Sequence, residues 1–232
     1  MHLASGHIRK AEALLRWNHP TKGLISPATF IGIAESNGTI INIGAWVFQQ
    51  AAHQAQRWQA HFHAQFEISV NASPVQFHHQ GARPQWSQQL QTMGLRAGSI
   101  AIEITEGVLL DDSEEVAAQL ADLRTGGCCI SLDDFGTGYS SLTYLQRYPI
   151  DTIKIDQSFV RNLQPGSTDL ALCKAIIVMA HELGMQVVAE GVETQAQRDL
   201  LHAAGCDFGQ GYWFAKPMSV QNFEAFMAQS SR

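Results

Sequence analysis

Two adjacent carboxylates, Asp133 and Asp134, close an apolar run that begins at Cys128 and lead directly into Phe135-Gly136-Thr137-Gly138-Tyr139-Ser140-Ser141. Neighbouring carboxylates at a strand end repel, and keeping both ionised is costly unless positive charge lies beside them. A divalent cation, or a pair of them, is the usual remedy. The competing reading is a solvated turn in which one aspartate caps a helix. Other strands delivering ligands to the same place would decide for the metal.

The elements that position these residues are legible from periodicity and punctuation. Strands are expected over 7–17, 66–71, 99–106, 128–134, 152–156, 186–190 and 208–214. Helices are expected over 27–36, 40–61, up to Gly94, from a Ser113 cap to Gly126-Gly127, over 141–147, from an Asp169 cap to Leu183, from a Thr194/Gln197 capping box to Ala204, and over 220–228. The segment from Asn18 to Gly23 reads as a turn. Alternation of strand and helix predicts parallel βαβ units. With 232 residues, 45% of them hydrophobic, and no repeat or linker, the expectation is one α/β domain of the TIM-like barrel type over residues 1–232. Seven strands are expected, one short of the roughly eight of a closed barrel; the N-terminus is where the eighth would belong.

In a strand, residues i and i+2 share a face. Ile100, Ile102 and Ile104 take the outer face of their strand, so Glu103 and Thr105 face inward. The same parity turns Ser69 and Asn71, Ser131 and Asp133, Thr152, Lys154 and Asp156, and Val188 and Glu190 inward. In the first strand Glu12, Leu14 and Arg16 share a face. Glu12, Asn71, Glu103, Asp133, Lys154 and Glu190 thus converge from six strands, all but Glu12 near the C-terminal ends where barrel active sites are built. Four interior carboxylates without a cation would be strongly destabilising. Oxygen ligands of this kind suit Mg²⁺ or Mn²⁺ rather than zinc.

Bulk properties exclude several classes. A net charge of −6 with 16% charged residues argues against a polymeric nucleic-acid surface. The four cysteines have no C-x-x-C spacing and read as reduced, buried residues of a cytoplasmic protein. No apolar run approaches the ~18 residues of a membrane span. The histidines lack the spacing of a helix-borne zinc pair.

The motifs Glu12-Ala13-Leu14-Leu15-Arg16-Trp17, Ser69-Val70-Asn71, Glu103-Ile104-Thr105-Glu106, Asp133-Asp134-Phe135-Gly136-Thr137-Gly138, Lys154-Ile155-Asp156, Glu190-Gly191-Val192-Glu193-Thr194 and Gln210-Gly211-Tyr212 stand in the order found in EAL-domain phosphodiesterases of cyclic di-GMP, which the chain resembles over nearly its whole length. The resemblance implies two metal ions, Mg²⁺ or Mn²⁺. Glu12, Asn71, Glu103 and Asp133 would bind the first, and Asp133, Asp134 and Glu190 the second. It implies Lys154 against the attacking water, Glu190 as a base within its reach, Gln210 as a supporting catalytic glutamine, and Leu15, Arg16 and Asp156 as substrate contacts. Glu106 would anchor the Asp133–Ser141 loop, with a loop role for Glu193. The implied reaction is hydrolysis of cyclic di-GMP to linear 5′-pGpG, with a catalytically silent receptor as the alternative; such receptors usually lack a metal ligand, and here none is missing. A homodimer and regulation by an upstream sensory domain are further expectations. Only Met1 to Gly6 precede the first strand, where the family carries an antiparallel strand. That strand is therefore expected to be absent, leaving seven strands and an open sheet edge.

Overall fold

The computed structural model describes residues 1–78, 86–110, 113–138 and 142–230. Its elements are β1 (Lys10–Ala13), β2 (Trp17–His19), β3 (Gly23–Ile25), α1 (Pro27–Ser36), α2 (Thr39–His61), β4 (Glu67–Asn71), α3 (Val75–His78), α4 (Trp86–Met93), β5 (Ile100–Thr105), α5 (Glu106–Leu109), α6 (Glu114–Thr125), β6 (Cys129–Phe135), α7 (Leu142–Arg147), β7 (Thr152–Ile155), α8 (Gln157–Arg161), α9 (Thr168–Glu182), β8 (Gln186–Ala189), α10 (Gln195–Ala203), β9 (Phe208–Gly209) and α11 (Val220–Ser230).

Among the described residues seven strands pair in parallel in the order β1-β4-β5-β6-β7-β8-β9, the count expected from the sequence. Parallel strands need helical crossovers, and these cover the outer face of the curled sheet, so that face is apolar. Ile100, Ile102 and Ile104 of β5, Ile130 and Leu132 of β6, and Ile153 and Ile155 of β7 are essentially inaccessible and pack under the helices. The sheet curls until its edges approach. At one end Lys10 of β1 reaches across to Gln186 of β8 at 3.2 Å and lies 4.7 Å over the Phe208 ring of β9.

Several boundaries differ from expectation for local reasons. The first strand ends at Ala13, not Trp17. Trp17–His19 instead pairs antiparallel with Gly23–Ile25, and the expected turn is the hairpin connection. Helix α9 starts two residues before a cap at Asp169 would allow, because the Ser167 hydroxyl accepts the Leu170 N–H. The last strand is only Phe208–Gly209, since the backbone turns at 211–214. The short helices α3, α5 and α8 lie outside the expected set; one turn of helix is too short to show a period. The Ser113 cap and the reciprocal Thr194/Gln197 capping box form as read. The residues ahead of β1 do make an antiparallel contact with β9. Met1 and Gly209 exchange backbone contacts of 2.8 and 2.9 Å, Leu3 N–H donates to Asp207 O, and His2 bridges Phe208 in antiparallel sense. Leu3 is buried in the core.

Candidate metal centre at the strand C-termini

Parallel pairing sets the donors side by side. Asn71 of β4 is opposite Glu103 of β5, and Thr105 of β5 is opposite Asp133 of β6. With β1 ending at Ala13, Glu12 is the penultimate residue of its strand and sits at the C-terminal rim with the others. Leu15 and Arg16 lie beyond β1, so strand parity does not govern them. Leu15 is half-buried, and exposed Arg16 donates from Nη1 to the Leu15 carbonyl at 2.8 Å.

Lys154 occupies the middle. Its side chain is 3% exposed, and Nζ lies 2.7 Å from Glu190, 2.9 Å from Glu103, 3.0 Å from Asp133 and 3.7 Å from Glu12. Glu12 also accepts from Asn71 Nδ2 at 2.7 Å and from Gln210 Nε2 at 2.6 Å. One ammonium against four carboxylates leaves the cluster short of positive charge if all are ionised, and the local response is to hold protons. Burial pushes Glu103 up to about 8 against the pull of Lys154, and Glu190 up to about 7 for the same reason. Burial alone would raise Glu12, but Lys154 and the Gln210 and Asn71 amides outweigh it and hold it low. Burial would depress Lys154, yet the surrounding carboxylates raise it well above the ordinary lysine range.

Asp134 joins through a bulge. Leu132 pairs with Ile153 and Phe135 with Ile155, so Asp133 and Asp134 together face the single residue Lys154. Without that extra residue the two aspartates would point to opposite faces. Asp134 adopts φ 53°, and it is the one non-glycine residue with positive φ among those described. A left-handed L-residue costs about 1–2 kcal/mol, and here the cost places both carboxylates on one side. Asp133, Asp134 and Glu190 each present an oxygen within 4.8 Å of the other two. Burial, then Asp133, raise the Asp134 carboxyl. The neighbouring Asp156 carboxylate raises it further, and Asp156 caps α8 by accepting the Ser158 N–H at 2.9 Å. Burial opposes ionisation of Asp156, but the Ser158 contacts prevail and its carboxyl is lowered.

The donor chemistry fits divalent cations. Asp133, Asp134 and Glu190 form one all-oxygen cluster, and Glu12, Asn71 and Glu103 adjoin it through Lys154 and Glu12. Glu106, the first residue of α5, accepts the Gly136 N–H at 2.9 Å, tying down the segment after Asp134. Tyr139, Ser140 and Ser141 of the expected loop lie outside the described residues. Glu193 is exposed, and its backbone N–H donates to Gln197 at 2.8 Å. A support not singled out from the sequence lies behind Asn71. Ser73 donates its hydroxyl to Glu35 at 2.7 Å and its N–H to Gln76 at 2.9 Å, while Ala72 N–H donates to the Glu103 carbonyl. The available signal was Glu35 itself, an acid within the apolar helix α1.

The family model described as "EAL domain" matches residues 1–217. The bifunctional diguanylate cyclase/cyclic di-GMP phosphodiesterase MucR of Pseudomonas aeruginosa is 40% identical over 224 residues, 97% of this chain and 33% of that protein. The cyclic di-GMP phosphodiesterase NbdA of the same organism is 38% identical over 225 residues, 97% of this chain and 29% of that protein. A structure described as the PaMucR phosphodiesterase in complex with c-di-GMP superposes with a TM-score of 0.87 at 40% identity, covering 94% of this chain and 88% of that one. The chain spans about a third or less of the length of the curated relatives it matches.

Proposed function

This chain belongs to the EAL domain family, and on that premise we propose that it is a metal-dependent phosphodiesterase that opens cyclic di-GMP to linear 5′-pGpG. The observation that carries the reading is Lys154, a buried ammonium touching Glu12, Glu103, Asp133 and Glu190 beside the Asp133/Asp134/Glu190 oxygen cluster. A receptor needs a nucleotide cleft; it has no use for so many acids held at the cost of a bulge and a left-handed aspartate. The relatives named as cyclic di-GMP phosphodiesterases support the substrate.

Two ions, Mg²⁺ or Mn²⁺, are proposed. Glu12, Asn71, Glu103 and Asp133 would hold one, and Asp133, Asp134 and Glu190 the other. When bound, such a pair activates water and neutralises the charge that builds on a phosphoryl group under attack. The protein's own groups do the rest. Glu190, 2.7 Å from the Lys154 ammonium at the rim of the oxygen cluster, would take up the proton of the attacking water. Lys154, fixed 2.7 Å from it, donates to the water or to the phosphate oxygen that gains charge. Gln210 holds one Glu12 oxygen and Asn71 the other, so Glu12 keeps one orientation. Arg16 sits exposed at the rim and would swing from the Leu15 carbonyl to a substrate phosphate, with Leu15 and Asp156 lining the approach. Glu106 and Glu193 would keep the flanking loops in place.

We further propose residues 1–232 as a single catalytic domain, working as a homodimer in the cytoplasm under an upstream sensory domain; among the described residues no helix is long and apolar enough to cross a membrane.

The test is turnover of cyclic di-GMP with Mn²⁺ or Mg²⁺, followed by chromatography of product. Conversion to pGpG is expected, and Lys154→Ala should lower kcat by at least about 100-fold. Tight nucleotide binding with no turnover in either metal would replace this reading with the receptor.

A further inference from the structure

Two glycines in the segments that carry Asp134 and Glu190 press on the same short helix. Gly136 (φ 97°) follows Asp134 by two residues, and a Cβ there would stand 2.9 Å from the ring of Phe159. Gly191 (φ 66°) follows Glu190, and a Cβ there would stand 2.5 Å from Cβ of Gln157. Phe159 and Gln157 both belong to α8, which follows β7, and β7 lies between β6 and β8 in the sheet. Asp156 caps this helix, its carboxylate accepting the Ser158 N–H. Helix α8 thus fills the gap between the loop that bears Asp134 and the loop that bears Glu190, touching each where only glycine allows that approach.

From this we infer that α8 is the spacer of the second-metal site, with Phe159 and Gln157 as positioning residues. They set the separation of Asp134 from Glu190 without touching metal or substrate. Phe159 is half-buried at the end of the contact with Gly136, so its size fixes how far the Asp134 loop can fall inward. Shortening it removes the stop. The left-handed conformation of Asp134 then has less holding it. Of the four first-metal donors, Glu12, Asn71 and Glu103 stand on β1, β4 and β5, none of which adjoins β7, and the fourth, Asp133, is held by pairing with Thr105 of β5 ahead of the Gly136 contact, so the first site is the less affected. The inference rests on the two-metal reading given above.

Mn²⁺ titration of the whole chain, by calorimetry and by the loss of free-ion paramagnetic resonance, separates the possibilities. Wild type should bind two ions. Phe159→Ala should bind the first with affinity within about two-fold of wild type and the second at least about ten-fold more weakly, the scale typical of groups that orient metal ligands. Excess Mn²⁺ should restore kcat in the variant. Phe159→Leu, which keeps an apolar side chain in the packed position, should show the same split at smaller size if Phe159→Ala does not fold. Gly191→Ala, which drives a methyl into Gln157, should reproduce it from the other side. One ion bound by wild type would refute the two-metal reading itself. Two ions in wild type with both affinities unchanged in Phe159→Leu and Gly191→Ala, or both weakened equally, would overturn the role given to α8.

Discussion

Burial pushes two carboxyls of the site, Glu103 and Glu190, up to about 8 and about 7. Each keeps its proton in the fold at pH values where the unfolded chain, near 4.5, has lost it. That stabilisation is complete below about 4.5 and is lost as pH rises through about 7 to 8. The metal-free protein should therefore melt at progressively lower temperature between about pH 5 and pH 8, and Glu190→Gln should flatten part of that slope. Bound Mn²⁺ replaces the protons, so its stabilising shift in Tm should be larger at the alkaline end. Thermal unfolding across pH, with and without Mn²⁺, checks both. Parity alone brought Glu103, Asp133, Lys154 and Glu190 to one face. It had no means of ranking Lys154 above its neighbours, because contact with carboxylates from β1, β5, β6 and the end of β8 is a long-range fact that no local pattern records.

At the scale of elements, the β6 bulge is what parity cannot contain. Strict alternation gives Asp133 to the interior and Asp134 to the outside; the register shift against β7 overrules it. Asp134→Gly separates the two roles of that residue. Glycine accepts φ 53° freely and removes the repulsion from Asp133, so the metal-free variant should gain about 1 kcal/mol of stability. It should also lose Mn²⁺ affinity and turnover. Chemical denaturation paired with metal titration would show both, and a variant less stable than wild type would refute the strain. Helices with capping chemistry were legible to within a residue or two, α6 from Ser113 and α10 from Thr194 among them. The first strand was expected three residues too early and four too late, at its end because Leu14, Leu15 and Trp17 prolong the apolar pattern; only the hairpin with Gly23–Ile25 shows where β1 stops.

Across the whole molecule, seven parallel strands were countable because each has its own apolar run and its own following helix. How the two ends of the sheet are dressed was not. Residues Met1 to Leu3 line the outer side of β9 with backbone contacts that carry no sequence signature. The edges β1 and β9 are short, at four and two residues, and have few neighbours to lose. Native-state hydrogen exchange should show their amides opening at lower free energy than those of β5 and β6, which are paired on both sides. Equal protection throughout the sheet would contradict that ordering.

The 2.6 Å contact between Gln210 and Glu12 joins residues 198 positions apart, one just past β9 and one on β1. It is a clasp over the seam where the curled sheet meets itself. The proposed chemistry therefore draws on both ends of the chain at once. Opening this seam would cost Glu12 its orienting glutamine while the interior around Ile102 stayed packed, so the proposed turnover would stop without unfolding. A ligand, a neighbouring segment or a second subunit that gripped the two edges would act on that turnover directly.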